Sequence, residues 1–334
     1  MKEELSLIKL LQSQLHLSKK GEAGHFQFPK EIKGFYFVQE IVKKKLPRPY
    51  EFAVYKNKSG KKAIAKAWIG KQKNFDYYSL LNEKNVYKEL NNISKTKRVK
   101  IPENYKKIYI PKLIDFIQDN NKLMLLIEMV NYSRIDMLPI KRKIEIYETL
   151  ISYFNFIGKV LIKKKNISLT RRSIYSFIFL FPFITIKAMV RYPKLVPILA
   201  KGFTHFMLLS YKLFKERDLT FIHKSLQVSN ILSDGKKINI VDLQLSLISH
   251  PILELAQLII FSWYDKRFVK EFYNSNLMKK ILQKKRSFLT YEALSIYVSH
   301  TDFAFGDTLN IRVNKSFLNH ILNLAKRTSG DLNV

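Results

Sequence analysis

Phe221-Ile-His-Lys-Ser-Leu-Gln-Val-Ser-Asn-Ile-Leu-Ser-Asp-Gly-Lys-Lys-Ile-Asn-Ile-Val-Asp-Leu-Gln244 is the stretch on which the reading of this chain turns. Its first third, with polar residues interspersed among apolar ones, reads as a loop. Ile231-Leu232 and Ile238–Val241 are short β-rich runs on either side of Asp234-Gly235, a strong hairpin signal. Pairing the two runs brings Asn230 and Asp242 to one end of the hairpin. Asp242 directly follows apolar residues, where a carboxylate is costly unless a metal or a donor faces it. The other reading of Asp242 is a capping residue. Two oxygen ligands converging at one hairpin end suit Mg2+.

Upstream, Phe35-Tyr-Phe-Val, Glu51-Phe-Ala-Val-Tyr and Lys62-Ala-Ile-Ala-Lys-Ala-Trp68 read as strands, with Asn57-Lys-Ser-Gly60 as the turn between the last two. A helix is predicted from about Asp76 to Leu90. Ile108-Tyr-Ile and Lys122–Val130 suggest two more strands, with Asp119-Asn-Asn as the turn. From Lys141 the period becomes helical, and Ile144, Tyr147, Ile151, Phe154, Ile157 and Leu161 form one stripe. Further helices are predicted at 4–16, 197–216, 252–265, 266–283, 289–300 and 315–327.

Composition narrows the function classes. The chain has 334 residues, is 47% hydrophobic and 13% aromatic, and so can bury a sizeable core in two lobes or domains. Its 59 basic and 27 acidic residues give a net charge of +32, which suits an anionic partner. There is no cysteine, which excludes disulfides, zinc-thiolate sites and thiol nucleophiles. The N-terminus lacks a signal-peptide core. Residues 173–186 form an uncharged run of 14, aromatic-rich and flanked by Arg171, Arg172, Lys187, Arg191 and Lys194. That run is too short to span a bilayer as a straight helix, and Pro182 would break it. It suits either shallow insertion among anionic lipids or burial as a helix pair. The lysines are dispersed, and no nucleic-acid-binding pattern accompanies them, so no specific nucleic acid is expected.

Two residues upstream carry candidate chemistry. Lys66 sits mid-strand, flanked by small and apolar residues, where a lysine can point into a cleft and contact phosphates. Taken alone it also reads as a solvent-facing lysine. Glu83 lies on a helix whose buried face is drawn by Leu80, Tyr87 and Leu90. An inward Glu83 would pair with Lys66 and fix its ammonium. Glu89 is the competing choice, and a surface carboxylate is the other reading.

These residues, in this order, resemble the protein-kinase-like superfamily. His223-Lys-Ser-Leu-Gln-Val-Ser-Asn-Ile-Leu232 is similar to its catalytic loop, and Val241-Asp242-Leu243 to its metal-binding segment. Ser249-His-Pro-Ile-Leu-Glu-Leu-Ala256 resembles a stretch of the aminoglycoside and small-molecule phosphotransferase branch. Asp242–Leu245 is similar to the lipopolysaccharide core kinases, which are basic and membrane-associated. The resemblance covers about residues 34–265. It implies an α+β, two-lobed protein-kinase-like fold: an N-terminal helical extension over 1–33, a small antiparallel β N-lobe with one helix over 34–130, and a helical C-lobe over 131–334, with a hinge near Glu128–Arg134.

The resemblance implies ATP and Mg2+ as cofactors. Lys66, Glu83 and the hinge residue Glu128 would serve the nucleotide, and Asn230 with Asp242 the metal. The implied activity is phosphoryl transfer to an alcohol group, on a sugar or a lipid-linked saccharide, by a cytoplasmic protein peripheral to an anionic inner membrane face. The partners are then a nucleotide and an anionic sugar or lipid-linked substrate. Departures from the family pattern keep two alternatives open. Ser225 stands at the usual position of the catalytic Asp and cannot act as a carboxylate base near neutral pH. His223 reads as a loop-shaping residue more than as a replacement base. No glycine occurs between Phe35 and Ser59, so Lys43-Lys-Lys-Leu-Pro-Arg-Pro49 takes the place of a glycine-rich phosphate cover. The acid of the later helix is Glu254, not Asp, and His250 stands where that branch has an acid. The alternatives are a nucleotide-binding pseudokinase or scaffold, and a basic nucleic-acid-binding protein.

Overall fold

The computed structural model describes residues 25–41, 50–164 apart from short gaps at 71–72, 74, 96–98 and 120–121, and 219–280 apart from 263–264, with scattered positions between 169 and 204. The helices expected at 4–16, 289–300 and 315–327, nearly all of that at 197–216, the 43–49 loop and most of the aromatic run at 173–186 lie outside the described residues. The chain divides into two compact units. One comprises Met1–Arg134, Asn166–Leu169 and Asn230–Ser246; the other comprises Ile135–Lys165, Thr170–Ser229 and Leu247–Val334. The hairpin at 230–246 thus belongs with the N-terminal sheet.

The first unit is built on an antiparallel six-stranded sheet. Its strands are β1 (Glu31–Ile32), β2 (Phe35–Glu40), β3 (Tyr50–Asn57), β4 (Lys62–Ile69), β6 (Leu113–Asp119) and β7 (Lys122–Glu128), in the order β1-β2-β3-β4-β7-β6. The Asn57–Gly60 turn forms as its sequence predicts. Gly60 takes φ +83°, and Asn57 Oδ1 accepts hydrogen bonds from Lys61 N at 2.9 Å and Ser59 Oγ at 2.9 Å. The partner of β7 differs from expectation. Leu113–Asp119, not Ile108–Ile110, runs back along it, with a register shift between Leu113 and Asp115. Because that strand is half-exposed and bulged, its alternation is weak in the sequence.

Side chains alternate across β4, so Ala63, Ala65 and Ala67 share one face and Lys66 takes the other. All three alanines are buried with Ala53, Tyr55, Met124 and Leu126 beneath Phe26 and Ile32. Their small size admits the segment at 26–32, which is tied down by Tyr55 Oη donating to the Pro29 carbonyl at 2.8 Å and Phe26 N donating to Glu51 at 3.0 Å. The small residues that flank Lys66 in sequence therefore serve the opposite face of the sheet.

Helix α1 (Phe75–Lys95) buries Leu80, Tyr87 and Leu90 as predicted, together with Val86 and Ile93. A second sheet has the order β5-β11-β10-β8, from β5 (Ile108–Tyr109), β8 (Ser133–Arg134), β10 (Ile231–Ser233) and β11 (Ile238–Ile240). Ile231 pairs with Ile240 and Ser233 with Ile238, which confirms the hairpin. Its turn is held by Asp234 Oδ1, which accepts from Lys236 N and Lys237 N, and by Gly235 at φ +88°.

The second unit contains α2 (Ile140–Ile162), β9 (Thr220–Ile222), β12 (Leu247–Ser249), α3 (Ile252–Phe261) and α4 (Lys266–Tyr273). The stripe read from the sequence is the buried face of α2, with Tyr147, Ile151, Phe154, Ile157 and Leu161 all buried. Strands β9 and β12 pair antiparallel, Ile222 opposite Leu247. Helix α3 is buried from Ile252 to Ile260. It ends at Phe261, and Asp265 caps α4 by accepting from Phe268 N at 3.0 Å.

Candidate active site

In the first unit, three distant positions meet at the Lys66 ammonium. Strand β4 presents Lys66 on the face toward α1, where its Nζ donates to Glu83 Oε2 at 2.8 Å and to Asp242 Oδ1 at 2.8 Å. The partners lie 17 and 176 residues away in sequence. Lys66 is 6% exposed and Glu83 is 1% exposed. The Asp242 side chain is 31% exposed, so it is the wetter of the two carboxylates on this ammonium. Burial alone would lower the Lys66 pKa, but Asp242 and Glu83 outweigh it and hold the ammonium above its ordinary pKa. Burial raises the Glu83 pKa, and Lys66 offsets part of that rise. The Tyr50 ring lies 4.7 Å from the ammonium and completes its surround.

The backbone explains how Asp242 reaches this point. It takes the left-handed conformation, φ +59° and ψ +58°, which Asp tolerates better than most residues. The chain leaves β11, reverses there and enters a 3-10 turn at Leu243–Leu245. Asn82 on α1 fastens that turn: its Nδ2 donates to the Gln244 carbonyl at 3.0 Å and the Ser246 carbonyl at 2.8 Å. Asn230 is joined to the same hairpin end, since Val241 N donates to its carbonyl at 3.0 Å. Two side chains with oxygen atoms that could serve a divalent cation, Asp242 and Asn230, thus leave the same end of the hairpin.

Glu128 ends β7. Its carboxylate accepts from Tyr109 Oη and, at 3.2 Å, from Lys112 N. Burial pushes the Tyr109 phenol well up, and the Glu128 contact adds to that. The Glu128 side chain is thus committed within its own unit.

The loop residues lie in the second unit. Ser225 is 6% exposed; its backbone N–H donates to His223 Nδ1 at 3.2 Å, and its carbonyl accepts from Gln227 N at 2.7 Å. His223 is fully buried and stacks on Phe154, with ring centroids 6.4 Å apart. Accepting at Nδ1 commits that nitrogen to shaping the loop. Glu254 on α3 holds the same loop: Oε2 accepts from His223 N and, at 3.1 Å, from Lys224 N. Lys224 sits at φ +59°, a conformation that this grip maintains. Burial raises the Glu254 pKa to about 7, against the pull of these two N–H donors. The sequence marks Glu254 only as an acid in an unusual place; its role follows from the geometry.

Gln244 is the residue that sequence reasoning missed. Its Oε1 accepts a third hydrogen bond from Lys66 Nζ at 3.1 Å, and it is buried. The one signal available was an amide two residues beyond the candidate metal ligand.

No family model matches the chain, and no curated protein matches it by sequence. Solved structures do. A thermostable mutant of aminoglycoside phosphotransferase APH(4)-Ia, in a ternary complex with ADP and hygromycin B, superposes with TM-score 0.57 at 11% identity, covering 86% of this chain and 95% of that one. Choline kinase from Cryptosporidium parvum Iowa II gives TM-score 0.54 at 15% identity, covering 90% and 92%. Amicoumacin kinase in complex with AMP-PNP, Ca2+ and Ami gives TM-score 0.51 at 12% identity, covering 92% and 91%. With the lysine strand, the glutamate helix and the acid-bearing hairpin arranged in this way, the chain has the divergent protein-kinase-like fold that its sequence resembles.

Proposed function

We propose that this chain is an ATP- and divalent-metal-dependent phosphotransferase acting on an alcohol group of a small molecule. The observation that carries the reading is the meeting of Glu83, Lys66 and Asp242 at 2.8 Å contacts. A purely structural ion pair needs one acid; a second, half-exposed carboxylate on the same ammonium is an arrangement suited to a metal-bound triphosphate. Lys66 would hold the α- and β-phosphates, and Glu83 would orient it. Asp242 and Asn230 would hold Mg2+, which neutralises charge on the transferred group. Glu128, at the end of β7, would lie beside the nucleotide with its backbone. The similar structures carry ADP with hygromycin B and AMP-PNP with Ca2+ and Ami, which supports a nucleotide and a metal here.

For the acceptor we infer a sugar hydroxyl, free or lipid-linked. The net charge of +32 supports an anionic substrate and contact with an anionic membrane surface from the cytoplasmic side. Among the described residues no helix is long and apolar enough to cross a membrane.

One observation favours a second reading, a nucleotide-binding pseudokinase. Ser225 stands where the resembled loop carries its catalytic Asp, and it supplies no carboxylate base. Loss of a base typically slows transfer by ~10²–10⁴-fold, because most of the catalysis comes from positioning and electrostatics. Labelled ATP with Mg2+, incubated with a panel of sugars and lipid-linked saccharides, separates the readings. The enzyme reading expects slow labelling of one acceptor class, raised about 10²-fold by Ser225→Asp and lost in Asp242→Asn. ATP binding without transfer, in wild type and Ser225→Asp alike, would establish the pseudokinase.

A further inference from the structure

A lysine ammonium has three N–H donors and no more. In this structure all three go to protein acceptors: Glu83 Oε2 at 2.8 Å, Asp242 Oδ1 at 2.8 Å and Gln244 Oε1 at 3.1 Å. If Lys66 is to take a nucleotide phosphate, one acceptor must leave. The three are unequal. Glu83 is fully buried, and stripping it of Lys66 would leave its charge without that partner in a low-dielectric interior. Asp242 is charged and close. Gln244 is neutral, makes the longest of the three contacts, and lacks the ion-pair attraction by which the two carboxylates hold the ammonium.

We propose that the Gln244 side chain is a built-in stand-in for phosphate on Lys66, which the incoming nucleotide displaces, so that this residue sets the affinity of the site for phosphate. The inference rests on the nucleotide-binding reading above. Its geometry is firmly set. Asn82 pins the Gln244 carbonyl at 3.0 Å and the Ser246 carbonyl at 2.8 Å, so the backbone of the turn stays in place while the side chain gives way. The amide occupies the acceptor position without adding a charge. Lys66 is therefore held pointing into the site before any ligand arrives, and the neutral acceptor is the one that yields to a charged oxygen. Gln244 acts through Lys66 and is a positioning residue.

The experiment compares ADP and adenosine binding by calorimetry, with and without Mg2+, in wild type, Gln244→Met and Gln244→Glu. Met keeps the length and removes the acceptor, while Glu makes the acceptor charged; Gln244→Ala replaces Met should Met fail to pack. The expected result is ADP binding about fivefold tighter in Gln244→Met and about tenfold weaker in Gln244→Glu, with adenosine affinity unchanged in both. A merely structural Gln244 would shift ADP and adenosine together and in the same direction in both variants. Unchanged or weaker ADP binding in Gln244→Met overturns the inference and leaves the nucleotide-binding reading standing. Absence of ADP and adenosine binding in wild type and variants alike overturns that reading, and this inference with it.

Discussion

Glu254 shows how much one side chain can set. Its carboxyl reaches from α3 to two consecutive backbone N–H groups at His223 and Lys224, while its other oxygen, Oε1, is buried without a hydrogen-bond partner among the described residues. Burial raises its pKa from the ordinary 4.5 to about 7. An acid whose pKa rises on folding binds more protons in the folded chain across that interval, so stability falls as pH rises through it. The fall attributable to Glu254 is about 3 kcal/mol between about pH 4.5 and about pH 7.5. Glu254→Gln keeps the acceptor oxygen and removes the titration. Urea unfolding at about pH 5 and about pH 7.5 is expected to show this slope in wild type and to lose most of it in the variant. Parallel pH dependences in the two proteins would contradict the assignment. Lys66 and Glu83 could be named from sequence through their order ahead of the loop and hairpin, since each taken alone also reads as a surface charge. Gln244 could not, because a neutral amide in an apolar turn carries no sign of the cation it meets.

Helix α2 and strand β9 approach each other closely at Gly158. A Cβ at Gly158 would stand 2.5 Å from Phe221 N and 2.6 Å from Thr220 Oγ1, distances that no side chain survives without a backbone shift. Thr220 Oγ1 donates to the Phe154 carbonyl of the same helix at 2.9 Å, so strand and helix are bonded as well as packed. Alanine in a helix interior is ordinarily about 1 kcal/mol better than glycine. Here we expect the reverse: Gly158→Ala should destabilise by about 2 kcal/mol in chemical denaturation. An equal or more stable variant would show that the helix can move away from the strand. Sequence periodicity found this helix and its stripe, since Ile151, Phe154, Ile157 and Leu161 repeat at helical spacing. It found the strands with clean alternation too. It missed Leu113–Asp119, where a bulge interrupts the pattern, and it could not foresee that Ile108–Tyr109 pairs in parallel with Ile238–Asn239, 130 residues further along the chain.

For the molecule as a whole, the stretch at 221–244 announced more than its parts could prove. The hairpin, the acid at its end and the polar loop were legible because each depends on local chemistry: an Asp-Gly turn, short β runs and a carboxylate after apolar residues. That the hairpin at 230–246 joins the unit built on the N-terminal sheet, while the loop before it joins the other unit, was not legible, because it depends on contacts made far along the chain. The same holds for the alanines beside Lys66, which fit the Phe26–Ile32 segment on the far face of the sheet. Binding of a triphosphate together with a divalent cation is what the proposed function requires of the Lys66–Glu83–Asp242 cluster. Its most direct test is calorimetric titration of AMP-PNP, with and without Mg2+, into wild type and Asp242→Asn; the Asn tolerates the left-handed backbone and withdraws the charge. Saturable binding is expected, strengthened about tenfold by Mg2+ in wild type and not strengthened by it in the variant. No saturable binding in wild type with Mg2+, or the same Mg2+ dependence in Asp242→Asn, would contradict it.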